Sequence, residues 1–116
     1  MKTIFCDIDG TLLKHHGGLH PIMSEEPVIL PNVIKSLARW SANDYTVILT
    51  TGRPESMRPL TIKHLEQVGI FYDQLIMGLS RGPRVLINDT KPNCNVTASA
   101  INVERNTGLS EEHILL

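Results

Sequence analysis

The stretch Ile4-Phe5-Cys6-Asp7-Ile8-Asp9-Gly10-Thr11-Leu12-Leu13 constrains this chain more than any other. Its apolar residues alternate onto both faces, Ile4, Cys6 and Ile8 on one and Phe5 on the other. That pattern predicts a strand buried on both sides, as in a parallel sheet. Stability alone gives such a strand no reason to end in acids. Asp7 and Asp9 are two residues apart, so in an extended chain they project to the same side at the strand's carboxyl end. Open α/β sheets bind their ligands at that end. Two carboxylates held so close repel each other, and a divalent cation or a shared proton relieves the repulsion. Gly10 lets the backbone turn sharply, and Thr11 offers a hydroxyl to hold the turn.

The same punctuation recurs along the chain. Residues 14–31 gather Gly17, Gly18, Pro21, Pro27 and Pro31 with His15, His16 and His20, which predicts a long loop or small hairpin after the first strand. Pro31-Asn32 opens a first helix with Val33, Ile34, Leu37 and Trp40 at helical spacing. Asn43-Asp44 turns the chain into a second strand over residues 45–50, where Val47, Ile48 and Leu49 form another apolar run. A right-handed crossover joins the two strands. The second strand closes in Thr50-Thr51-Gly52-Arg53-Pro54, whose hydroxyls, flexible glycine and cation suit a phosphate cradle. The plainer alternative is a strand-to-helix turn capped by Thr51.

A second helix runs from Ser56 or Pro59 to Val68, with Leu60, Leu65 and Val68 inward, Lys63, His64 and Glu66 on the solvated face, and Gly69 as its stop. A short strand over residues 74–77 follows, then a polar turn carrying Arg81. A further strand, Arg84-Val85-Leu86-Ile87, ends in Asn88-Asp89. Residues 98–103 suggest a last strand. Ser110 with Glu111 and Glu112 suggests a final helical turn, because a hydroxyl cap and early acids complement the helix dipole.

With 116 residues, a formal net charge of -1 and 41% hydrophobic residues, one soluble globular domain is expected. The balanced charge and 4% aromatic content argue against a nucleic-acid groove, which needs a basic stripe or stacking rings. No leader or membrane-length apolar run is visible, and the two cysteines, Cys6 and Cys94, lie far apart. Reduced thiols in a cytoplasmic protein are the expectation.

With these residues in place, the chain resembles the haloacid dehalogenase superfamily of phosphotransferases. Asp7-Ile8-Asp9-Gly10-Thr11-Leu12 is similar to the first motif of that family, Thr51 before Gly52-Arg53 to the second, and Asn88-Asp89 to the acidic fourth. The resemblance runs from the start to about Pro92. It departs at two points. No lysine of the third motif lies between Gly69 and Asp89, which leaves Arg81, Arg84, Lys91 or Lys63 as its candidate substitutes, Arg81 being preferred. The first position of the fourth motif is Asn88 rather than an acid.

The resemblance implies a three-layer, Rossmann-like α/β fold with a central parallel sheet, residues 1–116 forming one phosphatase domain. Neither insertion point is long enough for a cap domain. It further implies that Asp7 attacks phosphorus to form an aspartyl-phosphate and that Asp9 serves as general acid and base. Mg²⁺ would be held by Asp7, the backbone carbonyl of Asp9 and Asp89. Thr51, Gly52 and Arg81 would bind the phosphoryl oxygens. The expected activity is Mg²⁺-dependent hydrolysis of a small phosphomonoester, with a sugar phosphate favoured by analogy. A nucleotide phosphatase is the alternative within the enzyme class. A catalytically silent phosphoryl-binding or regulatory module is the alternative outside it. The expected partner is a small phosphorylated metabolite, with no nucleic acid or membrane. A homo-oligomer is one way for a capless member to close its site.

Overall fold

The computed structural model describes residues 1–116. The elements in chain order are β1 (Thr3–Asp7), α1 (Leu19–Ser24), α2 (Val33–Ala42), β2 (Thr46–Thr50), a 3₁₀ turn (Glu55–Met57), α3 (Arg58–Val68), β3 (Gln74–Ile76) and α4 (Glu111–Ile114). The three strands form one parallel sheet in the order β1-β2-β3. This is the α/β architecture expected from the sequence. The register pairs Asp7 with Thr50 and Thr50 with Ile76, so all three strands end level at one rim.

The apolar runs explain where the core sits. Cys6 of β1 and Val47 and Leu49 of β2 share one cluster with Val33, Leu37 and Trp40 of α2 and Leu65 of α3. Both long helices therefore cover the same face of the sheet. Gly69 stops α3 in the left-handed conformation (φ 78°), which costs glycine little. The opposite face is thinly covered. Phe5, expected inside a strand buried on both sides, is 52% exposed, and Ile76 on the same face is 40% exposed. Phe5 departs from the expectation because no helix of this chain packs over it.

The loop after β1 folds back as a small hairpin, with Lys14 N–H donating to the Val28 carbonyl and Leu30 N–H to that of Leu12 (2.8 and 2.9 Å). Its six-residue α1 is the only helix between β1 and α2, so no cap domain sits there.

The strand expected over residues 84–87 does not form, and this is the main correction to the sequence reading. Val85, Leu86 and Ile87 are 84%, 57% and 90% exposed. They belong to an arm, residues 80–102, in which every residue but Thr97 is exposed. Lys91 and Cys94 exchange backbone hydrogen bonds at its tip (2.9 and 3.0 Å), and the Thr97 hydroxyl donates to the Asp89 carbonyl. The arm helps stretch the molecule to 49 × 28 × 24 Å. A physical reason is at hand: parallel neighbours need a crossover of a dozen or more residues, and only residues 77–83 separate β3 from Arg84. The last strand expected over residues 98–103 is likewise absent.

Beyond the arm the chain returns to the body. Asn106 N–H donates to the Gly10 carbonyl (2.8 Å), Trp40 Nε1 to that of His113 (3.0 Å), and the Tyr45 hydroxyl to that of Leu116 (2.8 Å). Ser110 caps α4 as expected, and Ile114 is buried.

Candidate active site

Strand β1 delivers Asp7 to the sheet's carboxyl rim, and the turn after it is built around Ile8. The N–H groups of Thr11, Leu12 and Leu13 all donate to the Ile8 carbonyl (3.2, 2.9 and 3.0 Å). Such a turn needs Gly10 in the left-handed region (φ 92°), where a side chain would be strained. Thr11 Oγ1 donates to Asp7 Oδ2 at 3.3 Å, as its place in the turn suggested. Asp7 remains exposed at the surface, yet its surroundings shield it enough to matter. Burial, with the Asp9 charge adding to it, holds its carboxyl above the ordinary value; the Thr11 bond and the Arg84 charge act the other way. Burial also pushes the neighbouring Cys6 thiol up to about 12, Asp7 adding to the effect, so Cys6 is not a nucleophile.

Asp9 has a different environment. Arg53 Nε and Nη2 each donate to one of its oxygens, both at 2.8 Å, in a two-pronged fork. Arg53 is 4% exposed, and Nη1 of the same guanidinium reaches Thr61 Oγ1 (3.1 Å) and His64 Nδ1 (3.3 Å). Burial, followed by the Arg53 charge, lowers the pKa of His64 and so favours the neutral ring that can accept this bond. The sequence reading put His64 on the solvated face of α3; it is instead 6% exposed, because the guanidinium it supports lies beneath the helix. Arg53, read as part of a phosphate cradle, is committed to Asp9. Its tie to two polar α3 residues left no trace in apolar periodicity.

The loop after β2 is zipped to the loop after β3, with Gly78 N–H donating to the Arg53 carbonyl (2.8 Å) and Leu79 N–H to that of Thr51 (3.1 Å). Thr51 is 1% exposed, and its hydroxyl accepts from Arg53 N–H at 3.0 Å. Gly52 is exposed beside it.

The candidate cations separate clearly. Arg84 Nη1 donates to the carbonyls of Ser80 and Gly82 (2.6 Å each), one and three residues past Leu79, and its charge acts on Asp7. Arg81, the preferred candidate, is exposed and makes no side-chain hydrogen bond or ion pair. Lys91 is paired with Asp89 (2.7 Å) out on the arm, and Lys63 is exposed on α3. A fifth cation escaped the sequence reading. Arg105 lies against Gly10, its Cγ 3.2 Å from where a Cβ would stand, while Asn106 accepts from His15 N–H at 2.7 Å. Ninety-five residues separate Arg105 from Gly10, so no local pattern announced the contact.

Asp7 and Asp9 thus stand at the carboxyl end of β1, with Thr51 and Gly52 closing the adjacent strand. A model of the haloacid dehalogenase-like hydrolases matches residues 4–91, which is most of the chain. The chain belongs to this family. Among solved structures, the chain is similar to one of the Pnkp1/Rnl/Hen1 complex, with 28% identity and a TM-score of 0.58 over 72% of its length. A second structure, described as the Pnkp1/Rnl/Hen1 RNA repair complex, matches at 27% identity with the same TM-score and the same share of the chain. The chain spans only 30% and 27% of those two chains' own length. A protein from Vibrio cholerae shares the fold at 19% identity, with a TM-score of 0.55 and 99% and 94% of the two chains covered. No curated protein matches the sequence.

The family implies Mg²⁺, and the donors of one copy do not suffice for it. Asp7 and the Asp9 carbonyl lie together at the end of β1, but the third expected ligand, Asp89, is paired with Lys91 out on the arm. No three carboxylate, histidine or cysteine side chains converge anywhere in the molecule. No helix is long and apolar enough to cross a membrane.

Proposed function

We propose that this hydrolase is a cytoplasmic phosphatase of small phosphomonoesters, sugar phosphates foremost, working through an aspartyl-phosphate on Asp7. The observation that carries the reading is the contrast between the two acids: Asp7 is open at the rim, while Asp9 beside it is held by a buried cation. An Asp7 oxygen attacks phosphorus, the ester bond breaks, and the departing alkoxide takes a proton from Asp9. Asp9 then takes a proton from water, which attacks the same phosphorus and frees Asp7 and inorganic phosphate. Because Arg53 engages both Asp9 oxygens, one prong of the fork must open and Asp9 must take a proton from solvent before the ester bond breaks. Backbone and hydroxyl donors around Thr51 and Gly52, with Arg84, meet the phosphoryl oxygens. Mg²⁺, when bound, would neutralise charge on those oxygens, and Asp7, the Asp9 carbonyl and an Asp89 carboxylate released from Lys91 would hold it.

The test is release of phosphate from an aryl phosphate and from a panel of sugar phosphates, with Mg²⁺ and with chelator. Metal-dependent turnover that Asp7→Asn abolishes is expected. Turnover retained by Asp7→Asn removes Asp7 as nucleophile. No turnover on any substrate leaves a phosphoryl-binding module, the role that a missing third-motif lysine and Asn88 would fit.

A second substrate reading rests on the similarity to the RNA repair chain. In it the phosphate is at the end of a nucleic acid. The net charge of -1 weighs against a polyanionic substrate. A 3′-phosphorylated oligonucleotide in the same panel decides between the two.

A further inference from the structure

The outer edge of β1 has no neighbour. The sheet ends there, and no backbone group of β1 takes part in a hydrogen bond outside its ladder with β2. An exposed strand edge is a template for another strand. The same chain carries an unpaired apolar run, Val85-Leu86-Ile87, that stops at Asn88-Asp89 and lies within the stretch matched by the family model. We infer that this run of one copy pairs with β1 of a second copy and places Asp89 beside the second copy's Asp7, so that each catalytic site is completed by its neighbour's arm. The inference rests on the proposed function for the role of Asp89.

Direction of travel selects a second copy over the chain's own β1. Leu79 is bonded to Thr51 at the carboxyl rim, and Arg84 is bonded to Ser80 next to it, so the run starts at the rim where β1 ends. From that end it can follow its own β1 only antiparallel, which carries Asp89 away from Asp7 to the strand's amino end. Around a twofold axis perpendicular to the strands, the β1 strands of two copies are antiparallel to each other. A run antiparallel to its own β1 is then parallel to its partner's, and Asp89 arrives at the carboxyl end.

Register supports the same pairing. Setting Asp89 opposite Asp7 sets Ile87 opposite Phe5, and both then point to one face by strand alternation. These two are among the more exposed large apolar side chains of the molecule, at 90% and 52%. Leu86 falls opposite Ile4, and Val85 opposite Thr3. One alignment therefore sets the bare apolar side chains of both segments side by side and brings a third oxygen donor to the site. Such exchange of an identical element between copies is an economical route to a closed dimer.

Two measurements test this. In a Cys94→Ser background, Phe5→Cys and Ile87→Cys chains are prepared separately, then mixed after denaturation and refolding together. A disulfide-linked dimer that forms in the mixture and in neither chain alone is expected, as is twice the chain mass by light scattering for the unmodified protein. Separately, Asp7→Asn and Asp89→Asn are each inactive, but refolded together they give mixed dimers with one intact site. Random pairing into symmetric dimers recovers about a quarter of the original turnover. A monomeric mass with no cross-link overturns the inference. Active original protein whose two variants never complement also overturns it. If the original protein is dimeric and cross-links but turns over nothing, the phosphatase reading fails while the strand exchange stands. Cross-linking with only a foreign protein, or within one doubly substituted chain, refutes the second-copy occupant.

Discussion

The body and the arm of this protein are built on opposite terms. The body folds its apolar runs against one another: Leu37, Leu49 and Leu65 are each fully buried, and its one internal charge, Arg53, makes four side-chain hydrogen bonds to three residues. The arm carries a run equally rich in Val, Leu and Ile and leaves it in solvent. Composition does not separate the two regions. A β-capable run becomes a strand only when a partner edge lies within reach at the right end, and residues 77–83 deny the arm that edge in its own molecule.

Breaking the body should have the largest effect. Arg53→Ala leaves Asp9 without its fork and is expected to cost about 3–5 kcal/mol, because removing one partner of a buried pair strands the other charge. Urea unfolding reads the cost directly. Leu65→Ala should cost about 2–5 kcal/mol through the cavity it leaves. Ile87→Ala sharpens the contrast. It costs within about 0.5 kcal/mol if the arm stays in solvent, and a Leu65-like amount if it is seated on a neighbour.

Next come the cations at the boundary between the regions. Arg84→Ala is expected to lower turnover by about 10²–10³-fold, the usual loss for one donor to a developing oxyanion. Arg81→Ala should leave turnover nearly unchanged. The reverse order would return Arg81 to the site.

A smaller effect concerns pH. The Asp7 carboxyl is held above its ordinary value, so the acid limb of kcat/KM should lie higher than an unshifted aspartate would place it. Stability has the matching sign. A carboxyl raised in the folded state favours folding below its unfolded pKa, and that contribution is lost as pH rises through the folded pKa. Ionised Asp7 therefore costs stability near neutrality, and Asp7→Asn should raise the melting temperature there. His64 works in the other sense. Its folded pKa is lowered, so its contribution is present above the ordinary histidine range and declines as pH falls below it. Thermal melts at neutral and mildly acidic pH check both.

The smallest effect is chemical. Cys94 at the arm tip should react with a thiol reagent in the folded protein, and Cys6 only after unfolding, since burial and the Asp7 charge hold it as the thiol.

These contrasts show which parts of the molecule were legible in sequence. The body was legible because apolar spacing reports burial against elements that are themselves local: β1, α2, β2, α3 and β3 fall close to where periodicity put them. The gathering of Asp7, Asp9 and Thr51 at one rim of the sheet was legible because each lies where an apolar run ends. The arm was misread because three apolar residues and an acid look the same whether or not an edge is available. The short link before Arg84 was the signal that could have warned of it. Arg105 and Asn106 were invisible, because closing a loop of some ninety residues leaves no periodic mark. His64 was misplaced because a polar residue facing a buried guanidinium looks, in sequence, like one facing water.

Gly10 and its tight approach to Arg105 offer a lever. At Gly10 the pressure of a new side chain would fall on the flexible Cγ of Arg105 rather than on rigid backbone. A methyl group there would edge that long cation sideways without altering any ionisable group, at the cost of some backbone strain. Position 10 is thus a place where one added methyl would bear on a side chain far along the sequence, as a cam shifts a follower, while every charge keeps its identity.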